Sequence, residues 1–264
     1  MIKGIYVATY SQNAVEVIKD NGLGIELNDT CYSAMLDKDI REKTVQTMKQ
    51  EIRDSGAVNV LVHGPFTEIV PASIDHRAVD MGIERLNEAY EICSTIGVKK
   101  MIVHSGYMPP LYVKEWHNDR SVEFWNRFME DKPDDFEIAI ENVLEDEPVM
   151  MKNLIDRLPD PRISLCLDIG HANWSGNSDY SIDDWIKILG HDLTHFHFHN
   201  NDGKSDQHNP INEGSMDIKK VLESISKYCD NDVTITIESR VCRESAEWLK
   251  DYVYNKTGGT FELR

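Results

Sequence analysis

Six hydrophobic runs in this chain each end on a residue able to bind a metal or move a proton. His63 closes VLVH, His104 closes MIVH, Glu141 closes IAIE, Asp168 closes SLCLD, His199 closes HFHFH and Glu238 closes TITIE. Imidazole nitrogens and carboxylate oxygens are the usual donors to divalent cations, and their recurrence at run ends implies that the runs deliver them to one place. Such a cluster supports polarisation of a carbonyl or phosphoryl oxygen, activation of water, and proton transfer by the carboxylates. Two segments extend the set. In the segment CLDIGHAN, Asp168 ends the run and His171 follows on the next turn; in HNNDGKSDQH, Asp206 and His208 set a carboxylate and an imidazole two residues apart on a loop. With no thiolate among them, these donors suit zinc, manganese or iron better than magnesium.

Positioning six such residues around one cavity requires a repeating frame. Strand-like runs occur at 2–8, 24–28, 58–63, 100–104, 136–141, 163–168, 194–199 and 233–238, and helical periodicity occupies 12–20, 39–54, 78–95, 121–130, 148–157, 182–189, 216–227 and 244–254. Strand followed by helix eight times predicts an α/β fold, a (β/α)8 TIM barrel, over residues 1–264 as a single domain. In such a barrel the last inward residue of each strand faces the catalytic mouth. A doubly wound open sheet is the competing fold, but no GxGxxG follows the first run, and the polar run ends continue to the eighth unit. Strand parity places His195, His197 and His199 on the inward face of one strand, with Phe196 and Phe198 outward. His197 is then a candidate partner orienting a ligand, while His76, His117 and His191 are read as surface or capping residues. Cys166 shares parity with Asp168 and should point into the barrel. The long connections 105–120, with Tyr107, Trp116 and His117, and 200–215 should lie over the mouth, the first walling a substrate cavity.

Composition narrows the function classes. The 264 residues carry a formal net charge of −18, which opposes nonspecific attraction to a phosphate backbone and makes nucleic acid an unfavoured partner. No apolar stretch reaches the roughly 20 residues of a membrane span and the first residues do not read as a signal peptide, so the expected location is cytoplasmic. Cys31, Cys93, Cys166, Cys229 and Cys242 contain no CxxC pair and are read as reduced thiols. An oligomer is compatible with this composition.

His63, His104, the IEN at Glu141, LDIGHAN, HNNDGKSDQH and the IES at Glu238 together resemble the xylose isomerase-like TIM barrel superfamily, over nearly the whole chain. That superfamily includes sugar isomerases, tagatose-type epimerases and endonuclease IV. The epimerase pattern implies one divalent ion on Glu141, Asp168, His199 and Glu238, with the two glutamates also serving as acid–base partners. The endonuclease IV pattern implies two further zinc ions, one on His63, His104 and a bridging Glu141, the other on His171, Asp206 and His208. The resemblance therefore implies a divalent metal, zinc or manganese, with one to three ions. Phe66 falls where endonuclease IV has an aromatic that enters DNA, but an equivalent of that enzyme's DNA-clamping basic set is not identifiable here.

Two activities follow. The first is a metal-dependent isomerase or epimerase of a small sugar, sugar phosphate or related polyol, working by proton transfer through a metal-stabilised enediolate. Glu141 and Glu238 would move the proton, and His171 with Lys204 or Arg240 would orient hydroxyls or a phosphate; Phe66 and Trp116 complete the expected substrate-binding set. The second is an endonuclease IV-like multi-zinc phosphoester hydrolase, which accounts for the additional ligands. A non-catalytic, metal-stabilised barrel is the third reading. The acidic surface and the compact chain favour the first, with a small carbohydrate as partner.

Overall fold

Alternation along each strand assigns two faces, and the two faces meet different surroundings. In the computed structural model, which describes residues 1–176 and 179–257, the strands are β1 (Ile2–Ala8), β2 (Gly24–Leu27), β3 (Val60–His63), β4 (Lys100–His104), β5 (Glu137–Glu141), β6 (Ile163–Asp168), β7 (Leu193–Phe198) and β8 (Val233–Ile237). Each pairs in parallel with its sequence neighbours, and β1 pairs with β8, closing a (β/α)8 barrel. Among the described residues the helices are α1 (Ala14–Asn21), α2 (Arg41–Ser55), α3 (His76–Ile96), α4 (Lys114–Met129), α5 (Pro148–Ile155), α6 (Ile169–Ser175), α7 (Ile182–Leu189), α8 (Ile218–Tyr228) and α9 (Arg243–Thr257), with a short 3-10 turn at Ser33–Leu36. No helix among them is long and apolar enough to cross a membrane. All five cysteines are free.

Outward strand residues such as Val7, Ile25, Met101, Ile140, Leu167 and Phe196 join the helices in one apolar layer. Inside the barrel a separate small cluster forms from Ile102, Ala139 and Cys166, which confirms the inward direction of Cys166. The remainder of the interior is polar: Glu26, His195, His197 and Thr236 are fully buried. An interior filled by polar side chains on one side is stable only if they satisfy one another; Glu26, His195 and Thr236 do so, while His197 Nδ1 is left without a partner on the side of the mouth.

Several elements depart from the sequence-based expectation. β3 starts at Val60 because Val58 is 79% exposed. β7 ends at Phe198 and β8 at Ile237, so His199 and Glu238 stand one residue beyond their strands. Helix α4 begins at Lys114, seven residues before the predicted 121, and takes in Trp116 and His117. Its buried positions, His117, Asn118, Ser121, Phe124, Trp125, Phe128 and Met129, keep helical spacing throughout, but the first three are polar and hide the pattern. His117 is buried, not a surface or capping residue; its Nε2 lies 3.1 Å from Ser121 Oγ. His76 and His191 are exposed, as expected. Where the sequence predicts only a turn after Asp168, helix α6 forms, because the Asp168 carboxylate caps it, accepting the His171 N–H at 2.7 Å.

At the rim between β1, β2 and α2, Asp29 and Glu51 lie side by side with Asp29 Oδ2 and Glu51 Oε2 buried and unpartnered. Burial, reinforced by the Asp29 charge, pushes the Glu51 carboxyl up to about 8. A carboxyl raised on folding holds its proton more tightly in the folded state, so its stabilising contribution is complete below the unfolded value and is lost as pH rises through the folded one. Glu51→Gln should therefore melt close to wild type at pH 5 and higher at pH 9, by roughly 2 °C once solvent screening is allowed for, in paired thermal scans. Equal differences at both pH values would show that Glu51 does not titrate in this window.

Candidate metal centre

The ends of strands β3 to β8 converge on Glu141, and the register explains how. His104 pairs with Glu141 across β4 and β5, and Asp168 pairs with His197 across β6 and β7. The two Glu141 oxygens face different imidazoles. Oε2 lies 3.3 Å from His63 Nε2 and 3.5 Å from His104 Nε2, while Oε1 lies 3.3 Å from His171 Nδ1 and 3.2 Å from His197 Nδ1. A carboxylate so placed has the shape of a bridge between two neighbouring cation positions.

Five overlapping groups of donors lie within ligand range among the described residues: Glu26 with His63, His197 and Glu238, Cys166 with His195 and His197, and three more at the mouth. At the mouth, His63, His104 and Glu141 form the first; Glu141, Asp168, His197 and Glu238 form a central one; His171, His199, Asp206 and His208 form an outer one. The sequence reading brought the residues of these three together except in one respect. His197, expected behind the ligands, reaches the central group, with Nδ1 3.5 Å from Glu238 Oε1 and 4.0 Å from Asp168 Oδ2. His199 instead stands between Asp168 Oδ1, at 3.1 Å from its Nε2, and Asp206 Oδ1, at 3.7 Å, and stacks on His208 at 3.8 Å.

Ring tautomers give the test of whether metals fit. A carbonyl oxygen carries no proton, so a ring nitrogen bonded to one must be the N–H, and the opposite nitrogen is the one that offers a lone pair once the ring is neutral. His63 Nδ1 donates to the Gly64 carbonyl at 2.9 Å, His171 Nδ1 to the Asn142 carbonyl at 3.0 Å and His208 Nδ1 to the Glu238 carbonyl at 2.8 Å. In each case Nε2 faces carboxylates of the cluster. This is the tautomer and orientation that metal-binding histidines require. In addition, both Glu141 oxygens, Asp168 Oδ2, His197 Nδ1, both His199 nitrogens and Asp206 Oδ1 are buried without an aligned hydrogen-bond donor or acceptor. Unpartnered buried donor atoms converging on shared points are what divalent cations would satisfy.

Charge sorts the two glutamates. Burial acts to raise the Glu141 carboxyl, but the His197 and His104 charges and bonds from His171 and His197 outweigh it and hold it well below the ordinary range. Burial raises the Glu238 carboxyl; the attraction of His197 opposes the rise and repulsion from Glu141, Glu26 and Asp168 adds to it, so that the carboxyl stays above its ordinary value.

The loop carrying Asp206 and His208 is latched by reciprocal backbone bonds between Asn200 and Asn209, at 3.0 and 2.9 Å. His208 adopts φ +50, a conformation uncommon for a residue with a side chain, and its carbonyl accepts the Arg240 N–H at 2.9 Å. Lys204 and Arg240, expected to orient substrate, are exposed, and neither side chain makes a hydrogen bond or ion pair among the described residues. Phe66 stacks on His104 with ring centres 4.6 Å apart, at the edge of the first donor group. Trp116 donates its indole N–H to the Ala72 carbonyl at 2.9 Å, fastening α4 to the loop after β3, and Tyr107 packs on His117. Thus the aromatic segment expected to wall the cavity is tied into α4.

Two contributors were missed. Tyr10 Oη lies 2.7 Å from His208 Nδ1 and donates to the Glu238 carbonyl. Glu26 bonds both His195 and His197 from beneath. An acid at an inward position of an otherwise apolar run was the available signal for Glu26; Tyr10 lies in a loop and carried none.

The profile of the xylose isomerase-like TIM barrel family matches residues 13–252. The chain belongs to that family. An uncharacterised protein of Methanocaldococcus jannaschii is 30% identical over 219 residues, covering 77% of this chain and 73% of that one. A probable endonuclease 4 of Shouchella clausii is 22% identical over 200 residues, 69% of this chain and 68% of that protein. Among solved structures, a D-tagatose 3-epimerase-like protein superposes with TM-score 0.78 at 24% identity, covering 97% and 98% of the two chains. The IolI protein with a bound zinc atom superposes with TM-score 0.73 at 14% identity, covering 98% and 100%. These two structures share the fold of this chain.

Gly214 tests the role of the latched loop. A Cβ there would sit 2.2 Å from Asn200 Oδ1 and 2.6 Å from the Asn201 carbonyl. Gly214→Ala should displace the segment bearing Asp206 and His208 and weaken zinc binding at the outer group by about tenfold or more, measured by competition with a chromophoric chelator. Unchanged affinity would mean that the loop does not set the outer donors.

Proposed function

We propose that this chain is a divalent-metal-dependent isomerase or epimerase of a small sugar, sugar phosphate or related polyol. The reading is carried by the pairing of Glu141 and Glu238. They come from strands three apart in the ring, and His197 Nδ1 lies within 3.2 Å of one and 3.5 Å of the other. Two carboxylates bracketing one position can remove a proton from one face of a carbon and return it to another. A divalent ion, zinc or manganese, held by Glu141, Asp168, Glu238 and an imidazole of His197 or His199 would supply Lewis-acid polarisation of a carbonyl and its neighbouring hydroxyl.

The chain's own residues do the rest. Glu141 and Glu238 move the proton. His171, with Nδ1 committed to the Asn142 carbonyl, presents Nε2 to a substrate hydroxyl or a further ion. Phe66 offers an apolar face beside His104, Trp116 fastens α4 to the loop after β3, and the exposed Lys204 and Arg240 are free to meet a phosphate. The net charge of −18 favours a small ligand over a nucleic-acid backbone. The likeness to a D-tagatose 3-epimerase-like protein supports a carbohydrate.

A second reading, phosphoester hydrolysis with two or three zinc ions, is favoured by the bridging placement of Glu141 and the two flanking donor groups. The similarity to a probable endonuclease 4 agrees with it. Zinc-loaded protein with D-tagatose, D-fructose and their phosphates in D2O separates the two, proton exchange being followed by NMR. Exchange at a carbon next to the carbonyl is expected, with Glu141→Gln and Glu238→Gln each slowing it by about 10²–10⁴-fold and His63→Ala and His208→Ala leaving it largely intact. Two or three bound ions, no exchange on any of these sugars, and cleavage of an abasic-site oligonucleotide that fails in His63→Ala and His208→Ala would replace the first reading with the second.

A further inference from the structure

A cavity of about 630 Å3 opens between α2 and the loops that follow β1 and β2, a volume in the range of small-molecule sites. Two of its lining residues also belong to the rim of the mouth. Tyr10 holds its hydroxyl 2.7 Å from His208 Nδ1. Tyr32 packs on Phe66 with ring centres 5.9 Å apart, and Phe66 in turn stacks on His104. Both tyrosines still present open surface, 46% for Tyr10 and 60% for Tyr32, and Met35 beside them is 43% exposed. The opposite wall is one face of α2, where Lys43, Thr47 and Glu51 recur at every fourth residue. Asp29 meets Glu51 on this wall, and each keeps a carboxyl oxygen buried without a partner.

Open aromatic rings facing a wall of hydroxyl, ammonium and carboxyl groups suit a ligand with a C–H face and several hydroxyls. The rings cover the first, and the wall supplies both donors and acceptors to the second. A phosphate is disfavoured by charge, because Asp29, Asp39 and Glu51 stand against the one ammonium of Lys43 among the described lining residues. A wholly apolar group would cover the acids and leave them unpaired. We propose that this cavity is a second subsite, which takes a neutral glycosyl group joined to the sugar held at the metal centre. The substrate is then a ketose carrying a second sugar, and its far end is glycosyl rather than phosphate. The inference deepens the isomerase or epimerase reading and rests on it.

The test gives zinc-loaded protein D-fructose, D-fructose 6-phosphate and isomaltulose, a glucosyl-fructose with a free ketone. Two readouts are taken by NMR: proton exchange in D2O, and saturation transfer from the protein to the glucosyl protons. Isomaltulose is expected to exchange with kcat/KM about tenfold or more above that of D-fructose, and its glucosyl protons to receive saturation. Tyr32→Ala removes an aromatic face, and Thr47→Trp fills the cavity from an exposed helix position. Each should raise KM for isomaltulose about tenfold with kcat nearly unchanged, and leave D-fructose and its phosphate within about twofold. Should Tyr32→Ala fail to fold, Thr47→Trp carries the comparison. No advantage of isomaltulose over D-fructose, an equal loss with D-fructose 6-phosphate, or glucosyl saturation that survives Thr47→Trp would overturn the subsite. If none of the three sugars exchanges, the catalytic reading fails and saturation transfer decides the subsite by itself: a glucosyl signal lost in Thr47→Trp upholds it, and no signal in wild type overturns it.

Discussion

Glu26, Glu141, Asp168 and Glu238 are buried within one end of the barrel, and removing a carboxylate from water costs several kcal/mol unless positive charge or hydrogen bonds accompany it. The rest of the mouth answers this requirement. Imidazoles from β3, β4, β7 and α6 are interleaved with the acids, so that each carboxylate has at least one ring nitrogen within 4.0 Å. The imidazoles still leave both Glu141 oxygens and Asp168 Oδ2 without an aligned partner, which is the reason the cluster is suited to cations. The (β/α)8 frame serves this end by bringing strand termini distant in sequence into one small volume.

Much of this was legible before any coordinates. A charged or imidazole residue that ends an apolar run has few places to go, and six such ends within eight strand–helix units define a barrel mouth. Parity within HFHFH also placed three histidines inward, and they are fully buried. What parity could not decide was which histidine meets which carboxylate. That depends on strand stagger around a tilted barrel, which pairs Asp168 with His197 and lifts His199 above the strand. The early start of α4 was hidden for a different reason: His117, Asn118 and Ser121 are buried polar residues, invisible to a hydrophobic pattern.

Asp168 joins two roles that a sequence presents as separate. It ends a strand as a candidate ligand, and the same carboxylate accepts the His171 N–H to start α6. The positive end of a short helix is therefore directed at the donor cluster, and His171 is delivered to it by the helix's first turn. Tyr10 and Asn142 act similarly from outside the donor set, since one approaches His208 and the other fixes His171 through main-chain oxygen.

The reciprocal bonds between Asn200 and Asn209 close a short loop on itself before the chain returns to the barrel. Asp206 and His208 lie inside that loop, whereas the other donors belong to strand ends or to α6. Half of the outer donor group is consequently separable from the frame. Shortening one connection would delete it without altering any strand register, and lengthening it would restore it. A barrel of this kind can gain or lose half of its outer donor group through insertions in a single loop, with the eight-stranded scaffold and its central acids carried through unchanged.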